Sequence, residues 1–226
     1  MKVGILGTGG VGRSLAEGFA ANGHDVLIGT RDVAELLARA EPDQMGRPPF
    51  SAWASEHPDV RVDSFAEAGA HGELLVNATL GAGSIDALRA AGAGDVDARI
   101  VIDTSNPLGF SDGGAPGLFI GLTDSLAERI QREFPAAHVV KAWNTMTAAL
   151  MTAPDLVAGG DHSIPICGDD PDARREVAGL LQEFGWRDVV DLGDLSGARA
   201  MEAYLLLWLR LYGAFGTPLV NTKVVR

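Results

Sequence analysis

A glycine-rich turn near the start of the chain constrains the fold more than any other feature. Its six residues match the pattern G-x-G-x-x-G, and they are Gly7, Thr8, Gly9, Gly10, Val11 and Gly12. An apolar strand pattern, residues 3–6, precedes the turn; a helical pattern follows to about residue 22, and a second strand pattern starts at Asp25. A strand, such a turn, a helix and a second strand form the unit that holds a dinucleotide.

Each glycine of the turn has its own physical task in that unit. Gly7 permits the tight turn, Gly9 lets a pyrophosphate approach the amides of the helix N-terminus, and Gly12 lets helix and strand pack closely. The alternative is a purely structural turn. The order of the surrounding elements favours the nucleotide site over that alternative.

The end of the second strand discriminates between two dinucleotides. A site for NAD places a carboxylate there, which would repel the 2′-phosphate of NADP. Here Thr30 and Arg31 occupy that place, and a hydroxyl beside a guanidinium suits a phosphate monoester. Asp32 comes one residue later, where it can cap the next helix. The sequence therefore favours NADP, with a solvated surface charge as the alternative for Arg31.

Strand and helix patterns alternate along the whole chain, which predicts an α/β fold with a Rossmann-type, doubly wound parallel sheet. We expect an NADP-binding domain over residues 1–150 and a small C-terminal α/β-helical domain over residues 151–226. A helix capped by Asp170 and a long apolar helix at about residues 195–215 belong to the second domain.

Small amide and hydroxyl residues follow three other strands, in the segments 77–80, 103–107 and 141–146. They suit a nicotinamide ribose and carboxamide, but they supply no evident proton donor, and the chain has no Tyr-x-x-x-Lys. A ring acceptor that delocalises charge needs no such donor. Lys141 is a candidate to stabilise the developing anion, and its alternative is an ion pair with a carboxylate. Asn144 is the second candidate catalytic residue.

Composition limits the possible partners and location. The net charge is −12, which argues against nucleic acid or an anionic membrane as partner. One cysteine, Cys167, and a strand that begins directly after Met1 lead us to expect a cytoplasmic protein without a signal peptide.

We expect no metal site, because the histidines are scattered. The long helix, with Tyr204, Trp208 and Leu211, predicts a homodimer.

Several motifs together resemble the F-420-dependent NADP oxidoreductase family, particularly its bacterial dinucleotide-binding branch. They are the glycine turn, Thr30-Arg31, IDTSNPL, TDSLAERIQREFP, VVKAWNTM, ICGDD and the final LWLRLYGAFGTPLVNTKVVR. The cytoplasmic domain of membrane ferric reductases belongs to the same broader group. The resemblance implies a Rossmann domain, a small C-terminal domain and a cleft where a deazaflavin stacks on the nicotinamide of NADPH.

The resemblance also implies residue roles. The segment from Thr8 to Val11 would contact the pyrophosphate, and Thr30 and Arg31 the 2′-phosphate. Val220 would close the cleft. The nicotinamide end would be surrounded by Ala78, Thr79, Ser105, Asn106, Asn144 and Thr145.

The chain also departs from the family pattern. Glu35 and Leu36 stand where some members have a lysine, and Asn144 where some offer a histidine to the deazaflavin. An anionic coenzyme would need a local basic patch, for which Arg210, Lys223 and Arg226 are the candidates.

We therefore expect an NADP-dependent oxidoreductase that moves a hydride between NADP(H) and coenzyme F-420 or a flavin, with this small molecule as redox partner. Two alternatives stay open. One is an NADPH-dependent reductase of a small imine or carbonyl metabolite, with Lys141 or Asn144 polarising the substrate. The other is a sensor that binds NADP and catalyses nothing.

Overall fold

The computed structural model describes residues 1–43, 46–92, 99–110, 114 and 116–226, and these residues form ten strands. They are β1 (Lys2–Leu6), β2 (Asp25–Thr30), β3 (Val60–Ser64), β4 (Leu74–Asn77), β5 (Ile100–Asp103), β6 (Leu108–Phe110), β7 (Pro116–Leu118), β8 (His138–Lys141), β9 (Ser163–Gly168) and β10 (Asp188–Asp191). Eight of them form the central sheet, in the order β10-β9-β8-β5-β4-β1-β2-β3, and the other two form a hairpin, β6-β7.

Helices cover both faces of this sheet, each burying one apolar stripe against it. The helices of the described residues are α1 (Gly10–Ala21), α2 (Val33–Ala38), α3 (Phe50–Glu56), α4 (Phe65–His71), α5 (Ser84–Ala90), α6 (Leu126–Glu133), α7 (Ala148–Thr152), α8 (Pro171–Glu183) and α9 (Ala198–Phe215). One core cluster contains buried side chains of α1, α3, α7 and α8, and the other those of α4, α5, α6 and α9. The predicted α/β, Rossmann-type fold is confirmed.

In the central sheet, the neighbouring strands β3-β2, β2-β1, β1-β4, β4-β5 and β5-β8 all pair in parallel, so their carboxyl ends meet at one edge of the sheet. β9 runs antiparallel to β8 and overlaps it by two residue pairs, Val140 with Gly168 and Lys141 with Cys167. The first four residues of β9, 163–166, therefore continue beyond the carboxyl end of β8, and β10 pairs alongside them. The two C-terminal strands thus extend the sheet past the edge where the other strands end.

Local capping signals were predicted well. Asp32, Ser125 and Asp170 each cap a helix, and each side chain accepts a hydrogen bond from a backbone amide of the first turn. The Ser125 hydroxyl accepts from Glu128 N at 3.1 Å and donates to Glu128 Oε2 at 2.7 Å.

The sequence prediction was wrong in three places. The loop expected over residues 106–121 contains the hairpin β6-β7, although residues 111–113 and 115 lie outside the described part. Helix α4 was not predicted, since it is short and its apolar side chains are widely spaced. β8 ends at Lys141, two residues earlier than expected.

The predicted division at residue 150 remains a prediction. β9 and β10 belong to the same sheet as the N-terminal strands. The rings of Phe19 on α1 and Phe184 after α8 also pack edge to face, with centroids 4.9 Å apart. Among the described residues, no helix is both long and apolar enough to cross a membrane.

Candidate functional site

The glycine turn connects β1 to α1 and has the geometry that its sequence predicts. Gly7 has a φ of +120°, and a Cβ there would lie 2.6 Å from the carbonyl oxygen of Ala78. At Gly12 a Cβ would collide with the carbonyl oxygen of Gly7. Gly9, by contrast, is exposed, and a Cβ added to it would have no heavy atom within 4 Å. The turn is closed on the protein side and open on the solvent side.

The N-terminus of α1 opens into this space. Gly9 is its N-cap residue, so no side chain caps it, and the first turn contains no acidic residue. Backbone amides without intrahelical partners and the positive end of the helix dipole make this a place for an anion. The first turn of α1 and the open face at Gly9 therefore fit a pyrophosphate.

Thr30 ends β2, and Arg31 follows it on the surface. Within the described part of the chain, Arg31 makes no ion pair or side-chain hydrogen bond, so its guanidinium is available. Asp32 uses its carboxylate to accept a bond from Glu35 N at 2.8 Å. The acidic residue next to Arg31 is thus engaged at a helix cap, as predicted, whereas the binding of a phosphate by Arg31 stays a prediction.

Hydrogen bonds between neighbouring strands fix the polar side chains at the carboxyl ends of β4 and β5. Asn77 donates to Asp103 Oδ1 at 2.8 Å and accepts from the Thr79 hydroxyl at 2.7 Å. Ser105 donates to the same oxygen of Asp103 through its hydroxyl, at 2.7 Å. Asp103 therefore sets the orientation of residues on two adjacent strand ends.

A backbone turn after β8 directs Asn144 and Thr145. Trp143 is fully buried with a φ of 61°, in the left-handed region that costs a bulky residue about 1–3 kcal/mol. Its indole nitrogen donates to Met151 O at 3.1 Å, which holds the ring in the core. The amide of Asn144 donates to Asn106 Oδ1 at 2.9 Å and to Met201 O at 3.1 Å.

Two buried oxygen atoms beyond this turn have no hydrogen-bond partner among the described residues, Asn144 Oδ1 and Thr145 Oγ1. Buried polar atoms are nearly always paired, so unpaired ones mark a place where a ligand or water binds. Thr145 lines a cavity of about 210 Å³ whose walls are otherwise mostly apolar. Its walls include the β9-β10 extension through Pro165 and Leu192, and α9 through Met201 and Tyr204.

Lys141 lies fully buried beneath these strand ends. Its ammonium donates to Asp103 Oδ2 at 2.7 Å, to Ser105 O at 2.5 Å and to Glu202 Oε1 at 2.8 Å. An ammonium has three protons, and all three are used. Glu202, on α9, also accepts from the amides of Leu126 and Ala127 at the start of α6.

The ion pair governs the protonation of Lys141. Burial alone would lower its pKa, but the carboxylates of Asp103 and Glu202 outweigh burial and raise that pKa above its usual value. The lysine therefore stays charged within the protein. Of the two roles considered for Lys141, the structure therefore has the ion pair with a carboxylate, and no N–H of its ammonium is left to donate to a substrate. Lys141 positions residues such as Ser105 instead.

The other predicted site residues lie either beside the glycine turn and the strand ends or on the C-terminal tail. Ala78 and Thr79 are half-buried beside the glycine turn, and Asn106 Nδ2 donates to Asn144 O at 2.8 Å. Val220 lies on the C-terminal tail, where its carbonyl accepts from Trp208 Nε1 at 3.3 Å. Two tail residues near it, 222 and 224, line the same cavity as Thr145.

Two of the three residues expected to form a basic patch are paired, whereas Arg210 is exposed and has no ion pair among the described residues. Lys223 binds Asp161, and Arg226 binds Asp188. Two histidines also have structural partners: His162 is buried against Pro154 O, and His138 faces Asp170 at 3.6 Å. Within the described residues, no group of three His, Cys, Asp or Glu side chains is arranged to hold a metal.

Sequence reasoning missed two residues close to the glycine turn. Arg13 directly follows the motif and donates to Thr8 O at 3.1 Å and Pro48 O at 2.7 Å. Arg47 lies in the segment before α3 and reaches the first turn of α1. For Arg13 the sequence signal was its position directly after the glycine motif, whereas Arg47 had no such signal. Glu202 was missed as well, although a single carboxylate in an apolar helix indicates a buried partner.

The ion pair makes a prediction about stability. Replacing Lys141 by Met leaves two buried carboxylates without a counter-ion, so we expect the free energy of unfolding to fall by about 3–5 kcal/mol in a urea titration. Lys223→Met, which removes an exposed pair with Asp161, should cost less than about 1 kcal/mol. If Lys141→Met fails to fold, adding Glu202→Gln should recover folded protein. Equal losses of stability in the two lysine variants would contradict this prediction.

The chain is similar to a known protein family and to several known proteins. The family model described as NADP oxidoreductase, coenzyme F420-dependent, matches residues 2–107. The F420-dependent NADP reductase of Methanothermobacter marburgensis is 27% identical over 220 residues, covering 93% of this chain and 92% of that protein. The metalloreductase STEAP3 of Rattus norvegicus is 30% identical over 219 residues, covering 96% of this chain. The chain spans 38% of that protein's length.

Two solved structures are also similar to this chain. A protein from Arthrobacter sp. FB24, whose own assignment as an F420-dependent NADP reductase is a proposal, is 53% identical over the full length of both chains, with a TM-score of 0.96. A reductive aminase from Aspergillus terreus in complex with NADPH shares the fold, with 18% identity, a TM-score of 0.63 and coverage of 95% of this chain and 62% of that one. The chain belongs to the F420-dependent NADP oxidoreductase family and is an NADP-dependent oxidoreductase.

Proposed function

We propose that this enzyme transfers a hydride between NADP(H) and a deazaflavin such as coenzyme F420, or a flavin. The observation that carries the proposal is the set of bonds at the strand ends. There Asn77, Ser105 and Asn144 bond mainly to other residues of the protein, and Lys141 is fully engaged. An alcohol-forming reduction needs a positioned proton donor, whereas a ring acceptor spreads the added charge over its own atoms.

The protein's task in such a reaction is alignment. NADPH supplies the hydride when it is bound. We propose that the turn from Gly7 to Gly12, including Thr8, Gly9, Gly10 and Val11, holds the pyrophosphate. The residues proposed around the nicotinamide are Ala78, Thr79, Ser105, Asn106, Asn144 and Thr145. Hydrogen bonds within and between the strand ends fix the side chains of Thr79, Ser105 and Asn106, so these are placed to hold two rings in a reactive geometry without rearranging.

The cavity beside Thr145 supports a flat, mostly apolar acceptor. Its walls are apolar except for a few hydroxyl groups, and the Thr145 hydroxyl has no partner among the described residues. A ring with one polar edge would satisfy that hydroxyl and bury its apolar face against the β9-β10 extension. We propose that Val220 and the tail beyond it close this side. Relatives named F420-dependent NADP reductase support the choice of a deazaflavin.

We propose that Thr30 and Arg31 bind the 2′-phosphate of NADP. The guanidinium is exposed and unpaired within the described residues, and the neighbouring carboxylate of Asp32 is engaged at a helix cap. A phosphate there would gain charge-assisted hydrogen bonds that NADH could not make.

We also propose a cytoplasmic homodimer formed through the second half of α9. The first half is buried at Met201, Glu202 and Leu205, whereas Leu207 and Phe215 are 51% and 68% exposed. Such a row of apolar side chains on a helix is typical of an interface between subunits. The single cysteine is buried, and burial raises the pKa of its thiol to about 12; such an unreactive thiol is compatible with a reducing compartment.

The redox proposal is tested by mixing the protein with NADPH and oxidised F420, FMN or FAD and following the absorbance of each. We expect turnover with at least one of these rings. Gly9→Asp is the matched control, because its carboxylate meets only open space and suits a helix N-cap but repels a pyrophosphate. That variant should keep or raise the melting temperature and lose turnover. Failure with all three rings, or turnover only of an imine or carbonyl compound, would refute the proposal.

Cofactor preference is tested at Arg31. Replacing it by Glu should weaken NADPH binding by about 1–3 kcal/mol, about 5- to 160-fold in Kd, because a carboxylate then faces the 2′-phosphate. NADH lacks that phosphate and serves as the internal control, with little change expected. The measurement is calorimetric titration with both dinucleotides. An unchanged Kd for NADPH would show that Arg31 does not contact the phosphate.

The dimer is tested by sedimentation at micromolar concentration. We expect a dimer for the natural sequence and a monomer for Leu207→Lys, since a charge would be buried in the interface. Leu156→Lys changes a leucine that is 54% exposed elsewhere on the surface and should leave the dimer intact. A monomeric natural protein would contradict the assignment.

A further inference from the structure

We propose that Arg47 is a second phosphate-binding residue, which binds the cofactor's pyrophosphate in exchange for the carboxylate of Asp43. The inference rests on the dinucleotide site at the glycine turn and does not depend on the identity of the hydride acceptor. Arg47 lies outside the glycine motif, 35 residues after Gly12, so the motif alone does not reveal it.

The position of the guanidinium carries the argument. A Cβ added to Gly10 would come within 2.5 Å of Arg47 Nη1 and 2.9 Å of its Cζ. Gly10 is the first residue of α1, so the guanidinium lies against the turn of helix that faces a bound pyrophosphate. Because Gly10 lacks a side chain, the arginine approaches the backbone there. The same glycine leaves room for an anion on that face.

The local charges leave a place for an anion. The positive end of the α1 dipole and two guanidinium groups, Arg13 and Arg47, lie together, and the two arginines are close enough to repel each other. Asp43 Oδ2 accepts from Arg47 Nε at 2.7 Å and opposes this positive charge. A cation at a helix N-terminus is unfavourable without such a partner. The carboxylates of Asp43 and Glu17 both act on Arg13, and a pyrophosphate at the helix N-terminus would add negative charge beside Arg47 itself.

Hydrogen bonds from Arg13 connect the backbone next to Arg47 to the glycine turn. Arg13 bonds to Thr8 O within the turn and to Pro48 O directly after Arg47, and its guanidinium lies over the ring of Phe50 at 5.3 Å. Burial lowers the pKa of Arg13, but an arginine remains charged at neutral pH. Arg13 therefore holds the Arg47 backbone near the pyrophosphate position, while the Arg47 side chain can move.

Solvent exposure makes the exchange of partners feasible. The side chains of Arg47 and Asp43 are 40% and 32% exposed, so their ion pair is screened and weak. Asp43 Oδ1 also accepts from Arg47 N at 3.0 Å, so the carboxylate shapes the backbone as well as balancing the charge. The guanidinium can leave Asp43 without unfolding the segment.

Arg47 and Arg31 are assigned to different phosphates, and this separates their effects. Pyrophosphate occurs in both NADPH and NADH, whereas the 2′-phosphate occurs only in NADPH. Arg47→Gln should therefore weaken both dinucleotides by the same factor, about tenfold for one charge-assisted hydrogen bond. It should also make binding less sensitive to salt.

The experiment is calorimetric titration of the full-length protein with NADPH and with NADH, at two salt concentrations. Arg39→Gln is the matched control, because that arginine is exposed and pairs with Glu35 at i,i+4 just as Arg47 pairs with Asp43. It should change neither Kd. The melting temperature without cofactor shows that each variant is folded.

Asp43→Asn supplies the second test. Asparagine keeps a side-chain oxygen for Arg47 N but removes the charge that competes for the guanidinium, so both dinucleotides should bind more tightly. Three results would overturn the proposal: unchanged binding in Arg47→Gln, a loss confined to NADPH, or weaker binding in Asp43→Asn. Tighter binding in Arg47→Gln would also overturn it, since the arginine would then obstruct the site. Binding needs no hydride acceptor, so these results are independent of the redox test.

Discussion

The bond network around the buried ammonium of Lys141 is the constraint on which the site's geometry depends. Moving three charges out of water costs several kcal/mol for each, and the network compensates only because its donors and acceptors match closely. Asp103 orients Asn77 and Ser105 on two strand ends. Glu202 attaches α9 to the first amides of α6 and to β8 through the lysine. One ion cluster thus joins the strand ends of the sheet to the last helix.

This arrangement separates the charged end of the site from its nearly neutral end. The positive end of the α1 dipole, Arg13 and Arg47 lie at the glycine turn, and Arg31 follows β2; we propose that phosphates bind at this end of the site. At the proposed nicotinamide end, hydroxyls and amides bond to each other, and the charge of Lys141 is balanced beneath them. Such a division holds a dinucleotide by its phosphates while leaving its ring in a weakly polar environment that suits hydride transfer.

Much of the fold was predictable because its signals are local. The glycine turn, the caps at Ser125 and Asp170 and the alternation of strands and helices depend on residues a few positions apart. The position of Arg31 directly after β2 was predictable for the same reason. The partners of Lys141 were not, because Glu202 is 61 residues away in sequence. The left-handed backbone at Trp143 was also hidden, since tertiary packing of the indole overrides the preference of a bulky residue.

The reversal of direction between β8 and β9 has a consequence for how such an enzyme changes its substrate. Four residues of β9 project past the last paired residue of β8, and they form a wall that the dinucleotide half does not share. A strand rises about 3.3 Å per residue, so inserting two residues into that projection would raise the wall by about 7 Å. Pairing with β8 and the glycine turn would be untouched. In the acceptor site that we propose, the size of the acceptor can therefore change through the height of this wall, without any change at the glycine turn.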